Sequence, residues 1–441
     1  MEQAWLEELR EFVAIPSVSA DPVHRDDVVR AADWLCELIK RSGGDAEVTP
    51  FGERELVLGE IRATTNVGGA PTVLAYGHFD VQPPTPLELW DSPPFELEVR
   101  DGWAYGRGVA DDKGLLYTVV KAASLLVHDG GLPVNVRIAS DGEEEIGGHT
   151  IVDFLAEDKR GADACVIFDG GPLRADQPEF AIATRGLVGF YVEVQTGERD
   201  LHSGLYGGVA MNAQHALIRG LDALTARDGR LPDELRVGIA PVSDQERTGW
   251  SAMPAGADLL REAGAVPLDE NAAAELYERT WAEPSMDVNG IRGGKPEFVN
   301  TTLVSRAEAR FTIRIAPGQE VATIAAAAER LFREALPEGA KADVTLETFA
   351  SPGSFSPDSN VIQLGVDAFE RAVGARPLLV RSGGTLPIVP ALAEKGIDTV
   401  VSGFALPESN VHAPNERLRV EDIDRSIAAA QELFRAWGGL G

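Results

Sequence analysis

Cysteine is nearly missing from this sequence: Cys36 and Cys165 are the only two in 441 residues. Two thiols cannot staple a chain of this length, which excludes a disulfide framework, and both lie in apolar runs that read as buried packing. Positive charge is also short. Lys and Arg number 40 against 70 Asp and Glu, a formal net charge of −30. Nucleic acid is thereby excluded as a partner, since phosphate binding needs basic patches, and an anionic bilayer would repel such a surface. No apolar run approaches the ~20 residues of a membrane span. The opening Met1-Glu2-Gln3-Ala4-Trp5-Leu6-Glu7-Glu8 has no basic segment and no apolar stretch of signal-peptide length. The expectation is a cytoplasmic protein with neither membrane nor nucleic acid as a partner.

What is present is a long, ordinary globular composition whose length favours two domains over one core. The first half alternates strand and helix. Asp26 to Arg41 carries apolar residues at Val28, Ala31, Ala32, Leu35 and Ile39, a helical spacing closed by Gly43-Gly44. Pro71 to Tyr76, Val134 to Ala139 and Ala164 to Phe168 read as short buried strands, and Lys113 to Val127 as a helix. Such alternation implies βαβ units and a mostly parallel sheet. From about Gly186 the pattern becomes that of a smaller α+β sandwich of split-βαβ type. Its strands are expected at Leu187 to Val194, Ala307 to Ile315 and Ala342 to Phe349, with helices at Val209 to Leu224 and Ile324 to Leu336. Between them, Arg227 to Pro296 is rich in Gly, Pro and charge, with one helical stretch near Ala272 to Trp281. The α/β rhythm returns after Pro352, with a helix at Asn360 to Val373, a strand near Pro377 to Val380, then Thr399-Val400-Val401, and a closing helix at Val420 to Trp437. The expected organisation is 1–185 and 351–441 as two parts of one α/β domain, with 186–350 inserted.

Five short motifs fall where hydrophobic strands run out or helices open. They are Gly77-His78-Phe79-Asp80, the run Gly106 to Gly114 with Asp111 and Asp112, Glu143-Glu144-Glu145, Phe168-Asp169-Gly170, and Asn410 to Glu416 with His412. In doubly wound sheets the ligand site lies beyond the carboxyl ends of the strands. The set offers two imidazoles and three carboxylates of metal-ligand type, with two carboxylates to spare for proton work. That inventory fits two divalent ions bridged by one carboxylate, an arrangement that makes hydroxide and polarises a carbonyl. Each motif has a bland alternative. Asp111 and Asp112 could simply cap a helix, the Glu143 to Glu145 run could be a solvated loop, and Asp169 and His412 could be turn residues. We assign Asp111 as the bridge, with Asp112 supporting it. Asp80, two residues from His78, is placed to accept the second imidazole N–H of a metal-bound histidine.

As an ordered set these motifs resemble the di-zinc metallopeptidase family that includes carnosine and cysteinylglycine dipeptidases, aminoacylase and succinyl-diaminopimelate desuccinylase. Gly-His-x-Asp-Val-x-Pro is met by Gly77 to Pro83, Gly-Arg-Gly-x-x-Asp-x-Lys-Gly by Gly106 to Gly114, and Glu-Glu before a small turn by Glu144-Glu145. The run Asp200 to Gly208 is similar to the dipeptidase branch. The resemblance implies a mostly parallel α/β catalytic domain with an inserted ferredoxin-like lid and dimerisation domain. It implies that His78 and Asp169 hold one ion, Glu145 and His412 the other, and Asp111 both. By the same resemblance Asp80 orients His78, and Glu144 is general base and then general acid. His202 would reach the partner subunit's site in a homodimer and stabilise the oxyanion, assisted by Thr301. Arg314, with Thr385, would grip the substrate's carboxylate. The implied cofactor is a pair of Zn2+ ions per subunit, with Mn2+ or Co2+ as alternatives. One departure stands out: where the branch carries Glu to bind a free amino group, this chain reads Arg381-Ser382-Gly383-Gly384. The implied reaction is hydrolysis of a dipeptide beside its C-terminal carboxylate. The alternatives are deacylation of an N-acyl amino acid and, more remotely, an inactive homologue acting as a binding protein.

Overall fold

A computed structural model of the chain describes residues 3–52 and 54–440. It divides into two compact units. The first holds the chain up to Ile182, then Phe355–Val380 and Pro387 onward; the second holds Ala183–Ser354 and Arg381–Leu386. The short Arg381–Leu386 segment, from the stretch assigned above to the catalytic part, therefore packs with the inserted unit.

The first unit is built on a six-stranded sheet in the order Asp45–Phe51, Arg54–Ile61, Asn135–Asp141, Thr72–Tyr76, Ala164–Phe168, Thr399–Ser402. The last four strands run parallel, while the first two form an antiparallel edge. Ala164–Phe168 and Thr72–Tyr76 are continuous apolar runs rather than alternating ones because a parallel strand is buried on both faces, and their residues are nearly all inaccessible. Helix Arg25–Arg41 turns Val28, Ala31, Ala32, Leu35 and Ile39 inward, as its 3.6-residue spacing requires. Helix Asn360–Val373 opens at Ser359, whose hydroxyl accepts the Ile362 N–H, and closes at Gly374 in the left-handed conformation. Lys113–His128 packs against the final helix Val420–Trp437, where Thr118 and Ser426 share a hydrogen bond of 2.5 Å in the core.

The second unit is a four-stranded antiparallel sheet in the order Ser285–Arg292, Arg306–Ile315, Gly186–Gln195, Lys341–Ala350. With helices Ala213–Asp222 and Val321–Ala335 interleaved in the chain, it is the expected split-βαβ arrangement. Strands Gly186–Gln195 and Arg306–Ile315 alternate. Val188, Phe190, Val192, Phe311 and Ile313 enter a core with Leu217, Ile324 and Phe332 from the helices. The opposite face is polar, with Arg306 paired to Glu193 and Arg310 to Glu347. Gly220 lets a helix meet this core, since a Cβ there would lie 2.5 Å from the Phe332 ring.

Two expectations are corrected here. The helix read from Val209 begins only at Ala213, because Asn212 caps it by accepting the Gln214 N–H. The helical stretch near Ala272 to Trp281 is shorter than expected: turns lead into a helical segment that starts at Leu276 and ends in the π turn Glu278–Ala282, and the strand Ser285–Arg292 begins soon after it.

Candidate metal centre

Four strand ends of the first unit bring the motif residues together. Thr72–Tyr76 runs into Gly77, where a Cβ would lie 2.4 Å from Asp112 Oδ2, so only glycine leaves this approach open. His78 follows and is wholly buried. Its Nε2 lies 3.0 Å from Asp111 Oδ1 and 3.9 Å from Asp169 Oδ2, at the end of Ala164–Phe168. Its Nδ1 lies 3.1 Å from the Asp80 carbonyl and 3.3 Å from the Asp80 carboxylate. His412, beyond Thr399–Ser402, sits in the left-handed region at φ 61° with its side chain 53 % exposed. Its Nε2 is 2.8 Å from Asp111 Oδ2 and 3.1 Å from Glu145 Oε2. Two triads result, His78/Asp111/Asp169 and Asp111/Glu145/His412, and in each the ligand-type atoms lie within 4.8 Å of one another. Asp111 belongs to both, one oxygen to each.

Asp111 reaches this position through the turn before helix Lys113–His128, where the Asp111–Asp112 peptide is cis. Gly114 is required by the closeness of that turn, since a Cβ on it would lie 1.9 Å from the Val109 carbonyl oxygen. The capping alternative for Asp112 fails: its side chain makes no cap hydrogen bond and instead accepts the His78 backbone N–H at 3.2 Å. Asp112 thus holds the backbone of the buried histidine. The acidic run divides as well. Glu143 turns away to accept the Thr150 N–H and pair with Arg54. Glu144 faces the charges of His78, Asp169, Glu145 and Asp111, and among the described residues its carboxylate enters no ion pair. Glu145 is steadied by Gln82, whose amide donates to its Oε2 at 2.9 Å and its carbonyl at 3.1 Å, while Asp80 Oδ2 accepts its N–H. Sequence reasoning missed Gln82, although it lies inside the Gly77 to Pro83 motif.

The electrostatics follow from this crowding. Burial alone would raise Asp111, but hydrogen bonds to His412 and His78 outweigh it and hold the carboxyl well below the usual range. Hydrogen bonds to Asp111 and Glu145 push His412 up to about 10. Burial works against the charged form of His78, yet Asp111 and Asp80 carry its pKa well above the ordinary imidazole value. Glu144 and Asp169 are each pushed up to about 7, mainly by burial and then by the neighbouring carboxylates. Two imidazoles cannot neutralise so many buried acids, and this anionic surplus among mixed N and O donors suits divalent cations.

The remaining residues singled out from sequence lie in the second unit. Arg314 Nη1 donates to Thr385 Oγ1 at 2.8 Å, and that hydroxyl donates to the Arg185 carbonyl at 2.7 Å. Arg185, which sequence reasoning overlooked, is buried and donates through Nε to the Gly383 carbonyl. Burial, with Arg314 beside it, pulls Arg185 down to about 10. Two adjacent guanidiniums holding one glycine loop form a cationic patch able to receive a carboxylate. Ser382 contributes only a hydroxyl, which accepts the Gly384 N–H, and Arg381 is committed to a buried pair with Glu246. His202 and Thr301 lie side by side: Leu201–His202 pairs with Thr302–Leu303, and the Thr301 carbonyl accepts the Ser203 N–H. His202 is exposed, with Nδ1 accepting from Gly204 N at 2.9 Å.

The chain is 29 % identical to a cysteinylglycine-S-conjugate dipeptidase of Corynebacterium striatum over 98 % of this chain and 95 % of that protein. It is 26 % identical to the human Beta-Ala-His dipeptidase over 94 % and 86 %. Among solved structures, an M20 family metallo-carboxypeptidase from Sulfolobus solfataricus superposes with a TM-score of 0.86 at 25 % identity, covering 99 % of this chain and 100 % of that one. Residues 74–436 match the family description itself, a span reaching from the first buried strand through His412 into the last helix, and the chain belongs to peptidase family M20/M25/M40.

Proposed function

We propose that this protein is a two-metal hydrolase that cleaves the amide bond of dipeptides next to a free C-terminal carboxylate. The observation that carries the reading is the sharing of Asp111 between two ligand triads, one oxygen to each. His78 and Asp169 would hold one divalent ion, and Glu145 and His412 the other. When bound, the ions, zinc by the N/O donor mix with manganese or cobalt as alternatives, supply charge that polarises the scissile carbonyl and acidifies water. Asp80 fixes the orientation of His78 through Nδ1, leaving Nε2 for the ion. Glu144, uncommitted to any ion pair among the described residues, takes a proton from the attacking water. As the C–N bond breaks, the same carboxyl returns that proton to the departing amine, and the water's hydroxyl stays on the acyl carbon. His202 and Thr301 would donate to the oxyanion from a partner subunit, with the second unit as lid and dimerisation domain. Arg314 and Thr385 would receive the substrate's carboxylate.

The dipeptidase names of the two relatives support the substrate class, and a carboxypeptidase among the structural relatives supports recognition of a free carboxylate. A second reading, deacylation of N-acyl amino acids, is favoured by one observation: the Arg381–Leu386 segment offers Ser382 where a carboxylate would bind a free amine. The discriminating experiment is a panel of dipeptides and matched N-acyl amino acids assayed with defined divalent ions. Higher kcat/KM on free-amine dipeptides supports the first reading, and a reversed preference replaces it with the second.

A further inference from the structure

Glu416 and Arg107 form a buried ion pair at 2.6 Å, both side chains essentially inaccessible, and neither has a part in the reaction proposed above. The Glu416 carboxylate is fully subscribed. Its Oε1 accepts the N–H groups of Ala110 at 2.9 Å and Asp111 at 3.1 Å, and its Oε2 accepts Gly108 N at 3.0 Å and the Arg107 guanidinium. Four donors saturate the acceptor capacity of one carboxylate. Three of those donors belong to the turn that carries Asp111. The Glu416 backbone grips the same turn, its carbonyl accepting Gly106 N at 3.0 Å. Arg107 reaches in the other direction, with Nη2 3.4 Å from the carbonyls of Ala413 and Pro83. The pair therefore joins three loops that are far apart in sequence: the one carrying Gln82, the one carrying Asp111, and the one carrying His412.

We infer that Glu416 is a positioning residue for the second ion, holding the His412 loop against the Asp111 turn so that the Asp111/Glu145/His412 triad closes. The two triads differ in what supports them. His78 and Asp169 follow directly from adjacent strands of the central sheet, Thr72–Tyr76 and Ala164–Phe168. His412 instead stands on a loop with three non-glycine residues at positive φ, Asn410, His412 and Asn415, and is half exposed. No strand fixes it; its placement rests on Glu416, four residues later, and on its own contacts. Outer-shell partners of this kind change metal affinity by about 10–100-fold. Loss of the Glu416 carboxylate should thus weaken one ion of the pair much more than the other.

The inference rests on the two-metal reading, and its test separates the two. Calorimetric titration of metal-stripped protein with Co2+, followed by the visible absorption of the bound ion, gives the number of sites and both affinities. Wild type should take up two ions per chain; fewer than two overturns the two-metal reading and this inference with it. Glu416→Gln should keep one ion near its wild-type affinity and hold the second at least about tenfold more weakly. Because Gln would leave Arg107 buried without a counter-charge, the double variant Arg107→Met/Glu416→Gln is measured beside it, with circular dichroism as the check of fold. A selective loss of the second ion in either folded variant supports the assignment. Equal weakening of both ions, two unchanged affinities, or failure of both variants to fold overturns it and leaves the pair a purely structural role.

Discussion

His78 and His202 are the same side chain in opposite circumstances. His78 is sealed in the first unit, and both ring nitrogens are engaged by carboxylates or a carbonyl. His202 lies exposed in the second unit, with one nitrogen spent on a local turn. The contrast extends to their surroundings. The first unit concentrates acids at the ends of buried parallel strands, where His78 and Asp169 stand on backbone that cannot shift without disturbing the core, while His412 joins them from a loop. The second unit presents guanidiniums and hydroxyls on loops and near the end of Arg306–Ile315, an interior strand of its antiparallel sheet. On the roles proposed above, most groups that would hold metal cluster at the sheet ends, whereas most of those that would meet substrate stand on loops.

The strongest way to break this comparison is to remove metal. Chelation should abolish hydrolysis entirely, and Zn2+, Mn2+ or Co2+ should restore it; full turnover in metal-free protein would sink the assignment of the first unit. Next in size is Glu144→Gln, expected to lower kcat by about 10²–10⁴-fold while metal content is unchanged, because only proton transfer is lost. Glu145→Gln should reduce bound metal instead. Near-native turnover in Glu144→Gln would require the two roles to be exchanged. In the second unit the expected effect is smaller and falls on binding. Arg314→Ala should raise KM by about 10–100-fold through loss of a charged contact worth ~1.5–3 kcal/mol, with kcat less affected. An equal fall in kcat and no change in KM would move Arg314 into the reacting centre.

Complementation sharpens the contrast further. Inactive His202→Ala and Glu144→Gln proteins are mixed under subunit exchange. If His202 acts across a two-fold interface, half of the chains pair as mixed dimers with one intact site each, and about a quarter of wild-type activity returns. Demonstrated exchange with no recovery would mean that His202 acts within its own chain or has only a structural role. The smallest effect concerns stability rather than turnover. Glu179, mostly buried in the first unit, is pushed up to about 7 by burial. Its folded pKa exceeds the unfolded one, so the native state binds more protons between the two values, and stability falls as pH rises from about 4.5 through about 7. Glu179→Gln should flatten that part of the pH–stability profile, and an unaltered profile would show that Glu179 does not titrate on unfolding.

The parts of this molecule legible in the sequence are those with local signals. Buried parallel strands announce themselves as unbroken apolar runs, and the motif residues sit directly behind them. The edge strand Ser285–Arg292 carries no such signal: its side chains are mostly exposed, and the register shifts between Val288 and Gly290, which removes any apolar period. Arg185 was illegible because a single arginine before a strand has no pattern, and its meaning depends on a glycine loop 198 residues away. The Arg107–Glu416 pair spans 309 residues and likewise has no local trace beyond its motifs. Asp112 was read as support for Asp111, whereas the contact it makes is to the backbone of His78.

The order in which the chain leaves the ribosome gives the late position of His412 a kinetic meaning. Every residue of the inserted unit, including Arg381–Leu386, has been synthesised before the Thr399–Ser402 strand exists. A nascent chain can therefore complete its inner domain while the outer one still lacks its last sheet strand, the helix Val420–Trp437 and one member of the second triad. Until then the acids around Asp111 have only His78 as an imidazole neighbour. The second triad becomes complete only once the His412 loop has been made and the outer domain closes around it.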